Sequence, residues 1–380
     1  MAQIPEQQSP ATRPSPTRQS AAQQSAAQQS APQQATAQPG ARGAAPGAAA
    51  PVPTSADVAR LAGVSRATVS YVLNNATAVR ISEPTRQRVQ EAADELGYVP
   101  HAAARSLRAG HSRMVLMPTP TMPMGALYSH VFNELQWALR RLDYTVVQFG
   151  SLGMSGDEAA RAWAELRPVA VLAPGDGTLT PRGVHVLKRS GAKAVVTLGP
   201  QRVEGAHALL MDQRAVGRCA GAHLLDRGRT RIGVVVPREP GYETFSAPRL
   251  AGLRAATETR ADARVVPLEL GYDEPSAAEL VARWRQLGLD SVFAYNDEYA
   301  MLLLRALQDA GVDVPGETAV MGADDLLLGR LLRPRLSTVR MELPSGQRLA
   351  ELVDRAVRDP AGAPEVHPLL GTEAVPREST

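Results

Sequence analysis

From Met114 onward, short uninterrupted apolar runs alternate with amphipathic stretches, and this alternation restricts the fold more than any other feature of the chain. The runs cover residues 114–117, 145–149, 169–173, 194–198, 207–211, 232–236, 291–295 and 319–321. Helical patterns lie between them at 127–142, 157–166, 183–190, 214–226, 247–257, 276–287 and 298–310. A run that is apolar on consecutive positions suits a strand covered on both faces. Strands that alternate with helices pair in parallel. Roughly 270 residues of this pattern exceed one ordinary domain, so the spacing predicts two doubly wound parallel-sheet lobes. The expected division is 112–208 with 323–341 in the first lobe, and 209–322 with 342–380 in the second.

The chain before Met114 is of a different kind. Residues 1–53 are mostly Gln, Ala, Pro and Ser, with a Ser-Ala-Ala-Gln-Gln repeat between Ser20 and Gln34. Such a segment buries too little surface to offset its ordering entropy and reads as a disordered tail. It is either a plain spacer or a modulator of binding. The net charge of +3 is uninformative as a whole, but its distribution is not: residues 1–110 hold 10 Arg against 6 acids, while 111–380 hold 31 basic against 32 acidic residues. A polyanion partner is therefore expected to meet the first third. A single cysteine, Cys219, cannot form an internal bridge and fits a reducing compartment. No run of 18 apolar residues suggests a membrane span, and no leader pattern is seen. The expected location is the cytoplasm, in association with the nucleoid.

Between residues 54 and 100 the pattern is three short helices. Thr54 or Ser55 caps the first, with Val58, Ala59, Leu61 and Ala62 on it and Gly63 as its stop. Ser65 caps the second, with Val69, Val72 and Leu73 inward; Ser82 caps the third, with Val89, Ala92, Ala93 and Leu96 inward. Three short helices with a glycine turn between the first two make a helix-turn-helix, an all-α unit that lays its second helix in a DNA groove. A phosphate suits the capped start of that helix. Arg66, Ala67 and Tyr71 fall on its exposed side.

The stretch Asp57-Val-Ala-Arg-Leu-Ala-Gly-Val-Ser-Arg-Ala-Thr-Val-Ser-Tyr-Val-Leu-Asn74 closely resembles the DNA-binding headpiece of the lac repressor family of transcription factors. The likeness continues through Thr85-Arg86, Leu96-Gly97-Tyr98 and Ala104-Arg105-Ser106-Leu107-Arg108. It implies that Arg66, Ala67 and Tyr71 reach base edges in the major groove. Arg66 is suited to guanine O6 and N7, a contact worth about 1–3 kcal/mol of discrimination. Tyr71 stands where an Arg is common in the family. Ser65, Thr68, Ser70 and Asn74 are expected on phosphates, with Arg80 near the backbone. Residues 101–111 correspond to the family's hinge. A helix this short is marginal alone, and the resemblance implies that two of them pair in the minor groove, with Leu107 wedged between base steps and Ala104, Arg105 and Arg108 around it. Pairing requires a homodimer and a pseudo-palindromic operator on double-stranded DNA.

The core resembles the family's effector-binding region, which is similar to periplasmic binding proteins. The matching pieces are Met211-Asp-Gln-Arg214, His223-Leu-Leu-Asp-Arg-Gly228, Arg249-Leu-Ala-Gly252, Tyr295-Asn-Asp297, Gly322-Ala-Asp-Asp325 and Pro334-Arg-Leu-Ser-Thr-Val339. The resemblance implies a small-molecule effector, a sugar or related metabolite, between two lobes, with Arg249 and Asp297 on its hydroxyls. Gly125-Ala-Leu-Tyr128 replaces the family's Asn-Pro-Phe-Phe, which leaves Tyr128 as that lobe's aromatic surface behind Met122 and Met124. Tyr242 and Phe245 are expected to face it. The resulting reading is a sequence-specific transcriptional regulator, most simply a repressor, without catalytic residues, metal or cofactor. Its alternatives are a regulator whose cleft has lost its ligand, a solute-binding protein, and an enzyme on the same fold. No Gly-x-Gly-x-x-Gly, Walker loop, Gly-x-Ser-x-Gly or zinc spacing supports the last of these.

Overall fold

A computed structural model describes residues 52–73, 80–99, 112–120, 125–150, 153–369 and 371–380. It divides into two units, Met1–Tyr98 and Val99–Thr380. The expected tail and the hinge, including Ala104, Arg105, Leu107 and Arg108, lie outside the described residues, as do Asn74, Met122 and Met124.

The first unit holds α1 (Ser55–Ala62), α2 (Arg66–Leu73) and α3 (Glu83–Glu95). Thr54 and Asp57 form a capping box at α1, with Asp57 Oδ2 accepting from the Thr54 backbone N–H at 2.9 Å and from its hydroxyl at 2.7 Å. Gly63 closes α1 at a φ of 66°, where an L side chain would be strained. Val58, Val69, Val72 and Val89 meet in a small core with Ala92 and Ala93.

The second unit begins with β1 (Met114–Pro118), α4 (Ala126–Arg141), β2 (Thr145–Phe149), α5 (Gly156–Glu165), β3 (Ala170–Pro174), α6 (Pro181–Arg189), β4 (Ala194–Gly199) and β5 (His207–Leu210). It continues with α7 (Gln213–Asp226), β6 (Arg231–Pro237), α8 (Glu243–Thr257), β7 (Arg264–Leu270), α9 (Glu274–Ala282), α10 (Trp284–Leu287), β8 (Ser291–Phe293) and α11 (Asp297–Asp309). Last come β9 (Ala319–Ala323), β10 (Ser337–Glu342), α12 (Gly346–Arg358), β11 (Val366–Pro368) and β12 (Gly371–Val375). One six-stranded sheet has the order β11-β5-β4-β3-β1-β2 and the other β12-β10-β9-β8-β6-β7. The pairings are parallel except β10 with β12, which is antiparallel. Apolar clusters cover both faces of each sheet, around Leu135 and Trp163 in the first lobe and around Phe293 and Leu303 in the second. Two doubly wound lobes are thus present.

The assignment of the last segments to lobes needs correction. Residues 323–341 were expected in the first lobe, yet β10 pairs with β9 and β12 in the second sheet. Residues 342–380 were expected in the second, yet α12 buries Leu349, Ala350 and Val353 against Leu135 and Leu139 of the first. β11 likewise pairs with β5. The chain crosses between lobes after β5, after β10 and after β11, and only β12 returns to the second sheet. Shape explains the placement of α12: Gly346 lies so close to α4 that a Cβ there would approach the Glu134 carbonyl carbon to 2.4 Å.

A second close approach positions the cleft. A Cβ on Gly217 of α7 would meet the Arg249 carbonyl oxygen of α8 at 1.8 Å, and one on Gly252 would meet the Arg214 carbonyl oxygen at 2.1 Å. The two backbones cross in contact, which fixes where Arg249 emerges. Gly217→Ala forces them apart, and overpacking of this kind costs about 1–3 kcal/mol. The expected outcome is a lower melting temperature, read by circular dichroism; an unchanged value contradicts the contact.

Candidate nucleic-acid interface and effector cleft

On α2 the pattern of exposure follows the helical period. Val69 and Val72 are buried, while Ser65, Arg66, Ala67 and Tyr71 are exposed and Thr68 and Ser70 half-buried. Ser65 is the cap: its Oγ accepts from the Thr68 N–H at 3.1 Å and lies 2.9 Å from the Thr68 hydroxyl. The first turn of α2 therefore points out of the unit, with its positive dipole end and Arg66 together. Tyr71 keeps 41% of its surface, so its ring is not packed away against α1. Arg80 is exposed just before α3.

The cleft of the second unit is built from loops beyond the carboxyl ends of the strands, the usual ligand position in open parallel sheets. Tyr128 in the first turn of α4 comes from one lobe and Phe245 in α8 from the other; their rings meet edge to face, 6.3 Å between centroids at 71°. The Thr244 hydroxyl donates to the Asp176 carbonyl at 3.2 Å, a second link between lobes. Tyr242 packs edge-on against Tyr295 at 5.1 Å. Arg249 is 2% exposed. Its Nε donates to Gln213 Oε1 at 2.8 Å, Nη1 donates to the Tyr295 carbonyl, and Nη2 lies 3.7 Å from the Met341 sulfur. Its guanidinium also stacks 4.6 Å from the centre of the Tyr295 ring.

Asp297 behaves otherwise than expected. It has no exposed surface, and both its oxygens are occupied within the protein. Oδ1 accepts from the Thr338 hydroxyl at 2.6 Å and Oδ2 from the Leu326 N–H at 2.7 Å. The helix cap is its neighbour Asn296, whose side chain accepts from the Tyr299 N–H at 3.0 Å. What Asp297 holds is the turn after β9. Asp324 and Asp325 there have φ of 108° and 54°, a left-handed conformation that costs free energy in non-glycine residues. Asp325 locks the turn from outside through Arg330 and Arg340, each at 3.0 Å, and through Arg377. Asp324 is thereby left with its carboxylate inside, and burial pushes that carboxyl up to about 8 against the pull of Arg249.

Four buried polar atoms have no hydrogen-bond partner among the described residues: Tyr128 Oη, Asp176 Oδ2, Gln213 Nε2 and Asp324 Oδ1. Tyr128 has Gln213 and Arg249 beside it without full hydrogen-bond geometry, and burial drives its hydroxyl up to about 12. Buried orphans are rare and costly, and these four lie around one cleft. Of the residues expected here, the structure brings together Tyr128, Tyr242, Phe245 and Arg249 and takes Asp297 out. Gln213, Asp176 and Asp324 were missed. Two of them stand inside the matching pieces Met211–Arg214 and Gly322–Asp325; Asp176 had no signal beyond its place after an apolar run. Among the described residues no group of His, Cys, Asp and Glu could hold a metal ion, and no helix is long and apolar enough to cross a membrane.

These features define a helix-turn-helix joined to a two-lobed ligand-binding core. The chain matches the description "Bacterial regulatory proteins, lacI family" over residues 54–101 and "Periplasmic binding protein-like domain" over residues 222–380. It is 30% identical to the HTH-type transcriptional repressor PurR of Vibrio parahaemolyticus, over 80% of this chain and 92% of that protein. The chain belongs to the lacI family of bacterial transcriptional regulators. Among solved structures it is similar to a lac repressor dimer bound to operator and the anti-inducer ONPF, with a TM-score of 0.68, 22% identity, and 86% and 98% of the two chains covered. It is also similar to a complex of the transcriptional regulator CelR with cellobiose, with a TM-score of 0.56, 24% identity, and 86% and 100% covered.

The raised Asp324 carboxyl makes stability depend on pH. The folded state holds a proton that the unfolded chain releases near pH 3.8, so this contribution is full below that value and is lost as pH rises to about 8. Asp297, raised by burial to about 7, adds in the same direction. The ligand-free protein is expected to melt lower at about pH 8.5 than at about pH 6, and Asp324→Asn to flatten that slope. A variant as pH-sensitive as wild type contradicts the assignment.

Proposed function

We propose that this protein is a repressor that binds a pseudo-palindromic operator as a homodimer and releases or gains it when a small molecule fills the cleft. The exposed start of α2 carries the DNA-binding half of this reading. Arg66, Ala67 and Tyr71 read base edges there, Ser65, Thr68, Ser70, Asn74 and Arg80 set the register on phosphates, and Leu107 acts as the minor-groove wedge flanked by Ala104, Arg105 and Arg108. Location in the cytoplasm at the nucleoid follows from that partner.

The effector is a neutral, hydroxyl-rich molecule of the sugar class. The orphaned groups support this: Asp324 is protonated near neutrality and can donate as well as accept, Asp176 accepts, and Gln213 donates. The aromatic faces of Tyr128, Tyr242 and Phe245 suit the apolar side of a sugar ring. The carboxylate of Asp176, with its buried Oδ2, disfavours a phosphate or carboxylate. The similar CelR structure holds cellobiose.

Sequencing the genomic fragments that the purified protein retains identifies its operator, and calorimetry against sugars, nucleosides and amino acids identifies the effector. Asp324→Ala is expected to abolish the effect of the effector on operator binding while leaving operator affinity within about twofold. Loss of both together contradicts the assignment, and silence across the whole panel favours a cleft without a ligand.

The dimer is proposed to use the turn after β9. Leu327, Leu328 and Leu331, in and just after the single 3-10 turn Leu327–Arg330, are 68%, 58% and 66% exposed, an apolar patch that a second copy of the chain would cover. Leu328→Asp is expected to give monomers in sedimentation and to weaken operator binding at least tenfold, since two hinges no longer pair. A variant that stays dimeric places the interface elsewhere.

A further inference from the structure

The acid and base totals of the core nearly cancel, yet they are not mixed evenly over its surface. In the first lobe, cations gather at the amino-terminal ends of the strands. Arg140 and Arg141 end α4, Arg189 ends α6, Arg167 lies in the turn before β3 and Lys193 just before β4. Arg161 of α5 joins Arg167 and Arg189 around an open depression of about 530 Å³, with Glu165 as the one acid in its lining. None of these three arginines makes a side-chain hydrogen bond or ion pair among the described residues.

The macrodipole explains cations in the last turn of a helix. It does not explain Arg161, in the middle of α5. At the corresponding end of the second lobe some arginines are paired, Arg231 with Asp290, Arg260 with Asp262 and Arg285 with Glu317, while Arg254, Arg264 and Arg283 make no ion pair among the described residues. What sets the first lobe apart is that Arg161, Arg167 and Arg189 converge on one depression.

The chain enters the core at this end. The Ser112 hydroxyl donates to the Arg167 carbonyl at 2.7 Å, and Arg113 Nε donates to the Asp143 carbonyl at 2.9 Å. Only residues 100–111 separate Ser112 from the helix-turn-helix unit. Even fully extended, at about 3.5 Å per residue, those twelve residues span at most roughly 42 Å. A tether of this length gives a high effective concentration of phosphate in front of the unpaired arginines.

We propose that the basic end of the first lobe is a second DNA-contacting surface, in which Arg161, Arg167 and Arg189 engage backbone phosphates beside the operator. The contact reads no sequence. It adds affinity through counterion release and makes operator binding more salt-dependent than the helix-turn-helix alone would be. The inference rests on the DNA-binding reading above.

The test is the salt dependence of binding of the full chain to a fragment it retains from genomic DNA. Each phosphate contact contributes about 0.9 to the slope of log K against log salt. The triple variant Arg161→Ala/Arg167→Ala/Arg189→Ala is expected to lower that slope by about 1 to 3 and to weaken binding at low salt at least tenfold. The triple lysine variant, which keeps the charge, is expected to retain the wild-type slope. Melting temperatures equal to wild type establish that the changes are local. An alanine variant with the wild-type slope overturns the proposal while the regulator reading stands, even if these arginines prove to bind an acidic protein. A wild-type chain without affinity for any DNA overturns both.

Discussion

A single carboxylate, Asp297, holds the floor of the cleft together. Its side chain accepts from β10 through Thr338 and from the turn after β9 through Leu326, while its own backbone opens α11. Burying it completely is costly unless both oxygens are satisfied, and here they are. The space it occupies is reserved: a Cβ on Gly322 would come within 2.2 Å of its Oδ1. Everything that faces the ligand position from this side depends on that anchor. It sets the turn in which Asp324 and Asp325 take left-handed backbone conformations, and that turn sends one carboxylate outward to three arginines and the other inward to the cleft. The free energy stored there is offset by the ion pairs of Asp325, a division of roles between adjacent residues of the same type.

That division marks the limit of what the sequence shows. Apolar runs and amphipathic periods locate the strands and helices that are buried on both sides, because burial dictates composition there. The edge strands are less legible. β7 contains Pro267 and two exposed charged positions, and β11 is three residues ending in Pro368. α12 has a plain amphipathic period, with Leu349, Leu352, Val353 and Ala356 inward, but nothing local tells which sheet it covers. Its partner is chosen by shape at Gly346, a tertiary fact. The cleft is similar: Tyr128, Tyr242, Phe245 and Arg249 are visible as residue types in the right segments. Whether Asp297 or Asp324 faces the cleft depends on backbone angles and on Thr338, 41 positions away from Asp297 in the chain. The headpiece was legible because its signals are local, with Ser65, Gly63 and Ser82 each within a few residues of what they cap or end.

The contrast between net and local charge has a similar origin. Composition over residues 111–380 cancels, and an argument from totals assigns all polyanion binding to the first third. The fold sorts those charges again. In a parallel α/β lobe each helix ends where the next strand begins, so the turns at that end share one face. In the first lobe Arg161, Arg167 and Arg189 meet on that face, which also receives the chain from the DNA-binding helices. Electrostatic character belongs to an end of the lobe, and only the order of strands reveals which residues share it.

In the proposed function, the coupling between cleft and operator follows from where the lobes touch. Tyr128 against Phe245 and Thr244 on the Asp176 carbonyl are contacts across the cleft, and the unpaired atoms lie around the same place. A ligand that satisfies Gln213 and Asp324 from one lobe and Tyr128 and Asp176 from the other binds the closed arrangement better than any open one. That difference in affinity is the whole of the allosteric free energy available, typically about 1–3 kcal/mol. A ligand held by one lobe alone would bind without shifting the balance. Each unsatisfied buried group costs about 1–3 kcal/mol. Satisfying even one or two of them only on closure reaches the range that the proposed effector response requires.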